Sequence, residues 1–237
     1  MGRGPLAVRF LDWTLDEPQA GAIARAHVEL ENDGTVAWGE GIWLASHWLD
    51  DRGNPILWDG ERNPVPPLGP GERAVVEARV RAPIPPGRYG FALDLVAEDR
   101  AWFSELGSEM ATAAALEVRP RGGTRRAMLP DWVEPAPDWE ERVAAAHAEG
   151  YAVVAGAVEW AGGLLHRRPG ALEPYGPGPG RTPAFPHPLL CPSVLEGVSL
   201  ERLPDVEGLP AFAAPVDEPW LYDGRIVVVA DPRRRTG

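Results

Sequence analysis

The chain has 237 residues, which is enough for one large domain or two domains of ordinary size. A hydrophobic fraction of 44% indicates a globular protein with a core, and 27 glycines and 27 prolines favour turns over long helices. The net charge of −12 argues against binding to nucleic acid phosphates or to an anionic membrane surface.

Residues 5–118 predict a series of short β-strands separated by Gly, Pro and Asp turns. The run 24–32 alternates, with Ala26, Val28 and Leu30 on one face and mainly charged residues on the other, as in a half-buried strand. Further strands are predicted within residues 6–12, 41–50, 54–60, 72–82, 87–99 and 111–120. About seven short strands in about 110 residues are typical of an antiparallel β-sandwich.

The stretch 46–62, SHWLDDRGNPILWDGER, permits two interpretations. Asp50, Asp51, Asp59 and His47 could gather into a metal or sugar site, or residues 50–54 could form the turn of a β-hairpin. The hairpin is favoured because Asp begins turns and Gly takes a positive φ. The carboxylates also lack the spacing of metal ligands. We therefore expect no metal here, and we expect His47 and Trp48 on opposite faces of one strand.

Six of the ten tryptophans lie in the first domain, at positions 13, 38, 43, 48, 58 and 102. A sandwich buries one or two tryptophans as core anchors. Packing in the core or at its edge is the favoured interpretation for all six. The alternative is that some form an exposed aromatic patch that stacks on a sugar or anchors a partner.

The composition changes after Pro120, and residues 119–130 are predicted to be a linker. A small α+β domain follows over residues 131–232, with a tail at 233–237. Its helix is predicted over 138–150, with Asp138 and Glu141 forming a capping box and Gly150 ending the helix. The apolar run 151–160 predicts a strand covered on both faces, and 224–231 predicts the last strand.

Residues 161–219 are too rich in proline for regular structure. They nevertheless contain many large apolar residues, so we expect long Pro/Gly-rich loops that are ordered. These loops should pack over the helix and the strand 151–160, with Phe185 and Leu189 buried.

The same loops could form the wall of a small-molecule site, with Tyr175, Arg181 and His187 facing Trp220 and Asp223. The alternative is that the loops only cover a small sheet. The single cysteine, Cys191, lies four residues after His187, but this spacing outside a helix does not bring the two side chains together. We therefore expect no catalytic pair there, and no cofactor or metal is predicted.

The run 47–107 resembles an immunoglobulin-like module of bacterial proteins, and the resemblance covers roughly residues 20–107. The matching features are His47-Trp48, Asp59-Gly60 with Arg62, Pro70-Gly71-Glu72, Ala82-Pro83, Pro86-Gly87-Arg88-Tyr89, and Asp94-Leu95-Val96 before Trp102-Phe103. The chain is also similar to the four-tryptophan domain of selective-autophagy receptors, through Asn32, Gly34 and Trp38 before the same Pro-Gly turns. The resemblance implies an immunoglobulin-like β-sandwich. The bacterial modules accompany glycosyltransferases, methyltransferases and other proteins of surface-polysaccharide assembly.

The resemblance therefore implies a non-catalytic accessory or binding protein linked to bacterial glycan metabolism, with a glycan, a sugar nucleotide or another glycan-assembly protein as partner. One alternative is an enzyme with a glycan- or nucleotide-sugar-directed site in the second domain. Another is a protein–protein scaffold acting through the sandwich. Neither a signal peptide nor a membrane span is predicted, so we expect a cytoplasmic protein that binds no nucleic acid.

Overall fold

The computed structural model describes residues 4–161, 164–166 and 188–234, and for 164–166 only the backbone. The chain divides into two compact units, residues 1–119 and 120–237. Most of the regular structure is β-strand, so the prediction of a mainly β protein is confirmed. None of the helices in the described part of the chain is long and apolar enough to cross a membrane.

The N-terminal unit contains two antiparallel sheets. Its strands are β1 (Val8–Leu15), β2 (Ile23–Asn32), β3 (Ile42–Leu49), β4 (Pro55–Leu57), β5 (Asn63–Pro64), β6 (Arg73–Arg81), β7 (Gly87–Ala97), β8 (Ala101–Trp102) and β9 (Ala111–Val118). One sheet has the order β1-β2-β6. The other has the order β4-β3-β7-β8, with β5 also paired to β3 and β9 to β7.

Both sheets of this unit contribute to one hydrophobic cluster. Val28 and Val80 come from the three-stranded sheet, and Leu44, Trp48 and Phe91 come from the other. The alternation predicted for β2 is observed, because Ala26, Val28 and Leu30 are buried while Arg25 and His27 are exposed. Trp38 and Trp48 are core residues, as the sequence suggests for one or two of the tryptophans.

The C-terminal unit contains nine strands and one α-helix within its described residues. These are β10 (Arg125–Ala127), β11 (Val133–Pro135), α1 (Trp139–Glu149), β12 (Val153–Trp160), β13 (Leu164–His166), β14 (Leu189–Leu190), β15 (Ser193–Leu195), β16 (Arg202–Val206), β17 (Leu209–Phe212) and β18 (Trp220–Ala230). The larger sheet has the order β10-β15-β12-β18-β11, with β13 beside β12, and the smaller has the order β14-β17-β16.

The central strands β12 and β18 are parallel, and the other strand pairs of the larger sheet are antiparallel. Strand β12 is buried on both faces, as its apolar sequence predicts. The face that carries Val154 and Val158 packs with Val143 of α1. The opposite face, with Val153 and Ala155, packs with Leu189 and Trp220.

The pairing of β12 with β18 depends on a glycine. A β-bulge interrupts the register between Gly156 and Ala157, and the carbonyl oxygen of Ile226 lies where a side chain at position 156 would be. A Cβ atom there would be only 1.8 Å from that oxygen. Only glycine allows the two backbones to approach this closely.

The capping box predicted for α1 is not formed. Asp138 stands at the N-cap, but its side chain makes no capping hydrogen bond. Its carboxylate instead accepts a hydrogen bond from Arg142 Nε at 2.5 Å, and this bond lowers the pKa of Asp138. Arg142, one helical turn after Asp138, thus takes the place of the backbone N–H groups that a capping residue would bind. Gly150 ends the helix with a φ of 128°, as predicted.

Two segments contain more regular structure than the sequence predicts. Residues 119–130, expected to be a linker, include β10, which pairs with β15. Residues 161–219, expected to be irregular, include β13 to β17 within the described part. The expected packing of this region holds for Leu189, which is buried against β12, whereas Phe185 lies outside the described residues.

Candidate functional site

The hairpin formed by β3 and β4 presents two different faces. Asp50 accepts hydrogen bonds from the backbone N–H groups of Arg52 and Asn54, and Gly53 has a φ of 81°. The hairpin interpretation of residues 50–54 is therefore confirmed. Trp48 points into the hydrophobic core, and His47 points to the opposite face of the sheet.

The ring of Trp58 stacks on His47. The two ring centroids are 3.9 Å apart, and the ring planes differ by 14°. The Nδ1–H group of His47 also donates a hydrogen bond to the Trp58 carbonyl oxygen. His47 is fully buried, whereas 38% of Trp58 is exposed. One face of the indole thus lies on His47, and more than a third of the residue is open to solvent.

Trp102 and Arg62 extend this aromatic surface. Trp102 meets Trp58 edge-on, with ring centroids 6.2 Å apart. The guanidinium carbon of Arg62 lies 5.1 Å from the centre of the Trp102 ring, in a cation–π contact. Arg62 is also ion-paired with Asp59 at 2.6 Å and with Glu98 at 3.1 Å. We call these five residues, with His47 beneath them, the Trp58 patch.

The loop that carries Trp58, Asp59 and Arg62 lies close against β3. A Cβ atom at Gly60 would come within 2.6 Å of the backbone oxygen of Ser46. The loop can therefore lie there only with glycine at this position.

A buried carboxylate lies on the same face as His47. Asp94 of β7 is fully buried and accepts hydrogen bonds from the backbone N–H groups of Leu95 and Ser104. Burial raises the pKa of Asp94, and these hydrogen bonds act against the increase. Burial also lowers the pKa of His47, with the Trp58 carbonyl and Asp94 acting in the opposite direction. The imidazole beneath Trp58 is therefore neutral at pH 7.

This arrangement suits binding rather than covalent chemistry. It offers a flat, rigidly supported aromatic face and exposed carboxylates beside it. Within the described ranges, there is no group of three or more His, Cys, Asp or Glu side chains that could hold a metal ion. A ligand with a flat apolar face fits the exposed side of the Trp58 ring.

The C-terminal residues predicted to line a site are only partly described. Tyr175, Arg181 and His187 lie outside the described residues. Trp220 is buried in the cluster with Val153 and Leu189. Asp223 is ion-paired with Arg225 at 2.7 Å. Burial raises the pKa of Asp223, but the hydrogen bonds from Arg225 outweigh this effect and the net change is a decrease. Binding by these five residues stays a prediction.

A serine–histidine pair lies in the core of the C-terminal unit. The Nδ1–H group of His147 donates to the Tyr151 carbonyl oxygen at 2.7 Å, and Nε2 accepts from Ser193 Oγ at 2.9 Å. A nucleophile and its general base have this hydrogen-bond pattern. However, only 1% of Ser193 and 3% of His147 are exposed, so a substrate cannot reach the hydroxyl group. In this conformation the pair satisfies two buried polar groups of the core.

Cys191 is likewise buried, and burial raises the pKa of its thiol to about 12. The thiol therefore remains protonated at neutral pH and is a poor nucleophile. This accords with the interpretation that Cys191 is a small core residue.

The pH dependence of stability provides a test of the buried imidazole of His147. Burial lowers its pKa, and the nearby Arg125 and Arg121 act in the same direction. The unfolded state therefore binds more protons below pH 6.5, and stability must fall as the pH decreases from 6.5 toward the folded-state pKa. The loss approaches about 1.4 kcal/mol per unit of pKa difference.

We expect this loss in guanidinium unfolding of the C-terminal unit between pH 7 and 5, and we expect His147→Gln to reduce it. The same slope in the wild type and in His147→Gln would contradict the assignment. Carboxylates with a lowered pKa, such as Asp223, do not interfere, since their contribution is lost only at lower pH.

The sequence supplied the residue types of the Trp58 patch but not their assembly. The interpretation of residues 46–62 as a hairpin is correct, yet the same stretch also carries the exposed aromatic ring. The sequence did contain one sign of an exposed aromatic residue. It has six tryptophans in one small domain, and a sandwich core buries only one or two of them.

No protein-family model fits the sequence, and no curated protein matches it. The function must therefore be argued from the site itself.

Proposed function

We propose that the chain is a non-catalytic carbohydrate-binding protein and that the Trp58 patch is its binding surface. The exposed face of the Trp58 indole carries this proposal. Sugar rings present a flat face of C–H groups, and an aromatic ring held rigid by packing binds such a face at little cost in conformational entropy.

His47 supports the proposal because it holds Trp58 in two ways. Its ring lies parallel to the indole, and its Nδ1–H group binds the Trp58 carbonyl oxygen. Binding sites in general depend on residues whose own positions are fixed by neighbouring contacts.

We further propose that the N-terminal unit is an immunoglobulin-like β-sandwich. Its two antiparallel sheets share one hydrophobic cluster, which is the packing expected of a sandwich. The sequence resemblance to modules of surface-polysaccharide proteins supports a role in bacterial glycan metabolism. In this role the chain binds glycan beside the enzymes that act on it.

A second candidate function is a protein–protein scaffold. Ile56 and Trp58 are both exposed and lie in or directly after β4, at one edge of the larger sheet of the N-terminal unit. An edge strand with exposed apolar residues is a common docking position for another protein. A stable complex that excludes sugars from Trp58 would favour this function.

The proposal predicts that Trp58→Ala abolishes binding on an array of bacterial glycans. The wild-type chain should bind a subset of the glycans. The variant should lose about 2 kcal/mol or more of binding free energy, about thirtyfold in Kd, because the aromatic anchor is removed. Val75→Ala, which removes an exposed apolar side chain from β6, is the matched control and should bind like the wild type. Equal binding by Trp58→Ala and wild type would refute the site.

A further inference from the structure

We propose that the sugar bound by the Trp58 patch carries a free, protonated amine, as in glucosamine, instead of a neutral or acidic substituent. This inference rests on the proposed function and adds the chemical class of the ligand. It follows from the charges around the ring and from the way the patch already holds a cation.

The charge of the patch favours a cationic ligand. Asp59 and Glu98 have side chains that are 69% and 48% exposed, whereas Arg62 is only 27% exposed. Two carboxylates surround one guanidinium group, so an excess negative charge faces solvent. The whole chain carries a net charge of −12, which adds to the local potential. A uronic acid or a phosphorylated sugar would be repelled, and a cation would be attracted.

The position of Arg62 shows that the patch accommodates a cation. Its guanidinium group lies over the Trp102 ring and is neutralised by the two carboxylates. The patch therefore already binds one cation with an aromatic face and acidic groups. Trp58 offers a second indole face beside the same Asp59. Among the residues that the structure describes, no arginine makes a cation–π contact with Trp58, and 38% of the residue is exposed, so a cation of a ligand can approach the ring.

The group on the far side of the Trp58 ring is neutral. The group stacked there is His47, whose Nε2 atom is buried and has no hydrogen-bond partner among the described residues. An imidazole that donates through Nδ1 and lacks a partner for a second proton is the neutral tautomer. It places no positive charge behind the ring, and the negative face of the indole remains available for a cation.

The test compares β-1,4-linked tetramers of glucosamine, N-acetylglucosamine and glucose by calorimetric titration of the full chain. The three share one backbone, and only the first is cationic when its amines are protonated. We expect the glucosamine tetramer to bind about tenfold more tightly than the other two, the size of a partly desolvated cation–π contact. Asp59→Asn should remove most of this preference. Asp16→Asn, at the end of β1 in the other sheet, should keep it.

Each other outcome has a distinct meaning. Equal or tighter binding of a neutral tetramer, lost in Trp58→Ala, would overturn the amine and leave the carbohydrate site intact. If no tetramer binds, the inference fails, and the glycan array decides whether the proposed function fails with it. If tetralysine binds as tightly as the glucosamine tetramer and Trp58→Ala weakens neither, the attraction is non-specific charge and the inference is overturned.

Discussion

Gly156→Ala is expected to disrupt the C-terminal unit. The added Cβ would lie 1.8 Å from the carbonyl oxygen of Ile226, a backbone atom that cannot rotate away. Strands β12 and β18 would have to separate at the centre of the sheet, and we expect a loss on the order of 4 kcal/mol, a large part of the stability of an ordinary domain. Hydrogen exchange followed by mass spectrometry should show loss of protection in β12 and β18, with protection retained in β3 and β7.

Gly197→Ala is the matched control for this experiment. Gly197 has a φ of 85°, but the space where its Cβ would lie is empty. This variant should cost only about 1 kcal/mol, from backbone strain without a clash. If Gly156→Ala is no more harmful than Gly197→Ala, the close approach of β12 and β18 is wrong.

Trp48→Ala is expected to destabilise the N-terminal unit by about 3–5 kcal/mol, because it leaves a large cavity in the core. The side chain is fully buried among the aromatic residues of the cluster, in contact with Phe91 and Tyr89. The substitution also removes the hydrogen bond from the indole Nε1–H group to the Arg81 carbonyl oxygen. Guanidinium unfolding of the full chain, followed by circular dichroism, measures the change.

The same substitution at Trp58 supplies the control. Trp58 is 38% exposed and contacts the rings of His47 and Trp102 without entering the core, so Trp58→Ala should cost only about 1–2 kcal/mol. The pair of variants thus separates the tryptophan that holds the fold from the tryptophan that is available to a ligand. Similar losses for both would mean that Trp58 is also a core residue.

The sequence predicts the bounds of a strand well where one face of the strand is buried and the other is exposed to solvent. Strands β2 and β6 begin and end within two residues of their predicted bounds, because apolar and polar side chains alternate along them. Strand β7 also has its predicted bounds to within two residues, although its residues 91–97 are buried on both faces. The strands β14 to β17 could not be predicted. They are two to five residues long, and Pro204 and Pro210 lie within two of them. A period of two residues cannot be recognised over such lengths.

The site was harder to predict than the fold for a related reason. His47 and Trp58 are eleven positions apart and meet only because the hairpin folds back, and Trp102 joins them from β8. Such contacts depend on strand register, which local patterns do not supply. The prediction of the capping box was wrong for a comparable reason. A side-chain contact decides the outcome, because Asp138 binds Arg142 instead of the backbone N–H groups at the helix N-terminus.

The most direct test of the account is an NMR titration that follows the indole N–H signals of the ten tryptophans. The ligand is the oligosaccharide that binds most tightly, and Trp58→Phe assigns the Trp58 signal. We predict that the signals of Trp58 and Trp102 shift on binding while those of the core residues Trp38 and Trp48 do not. If the Trp58 signal stays in place while that of Trp132 or Trp160 moves, the sugar binds in the C-terminal unit and the Trp58 patch is not the binding site.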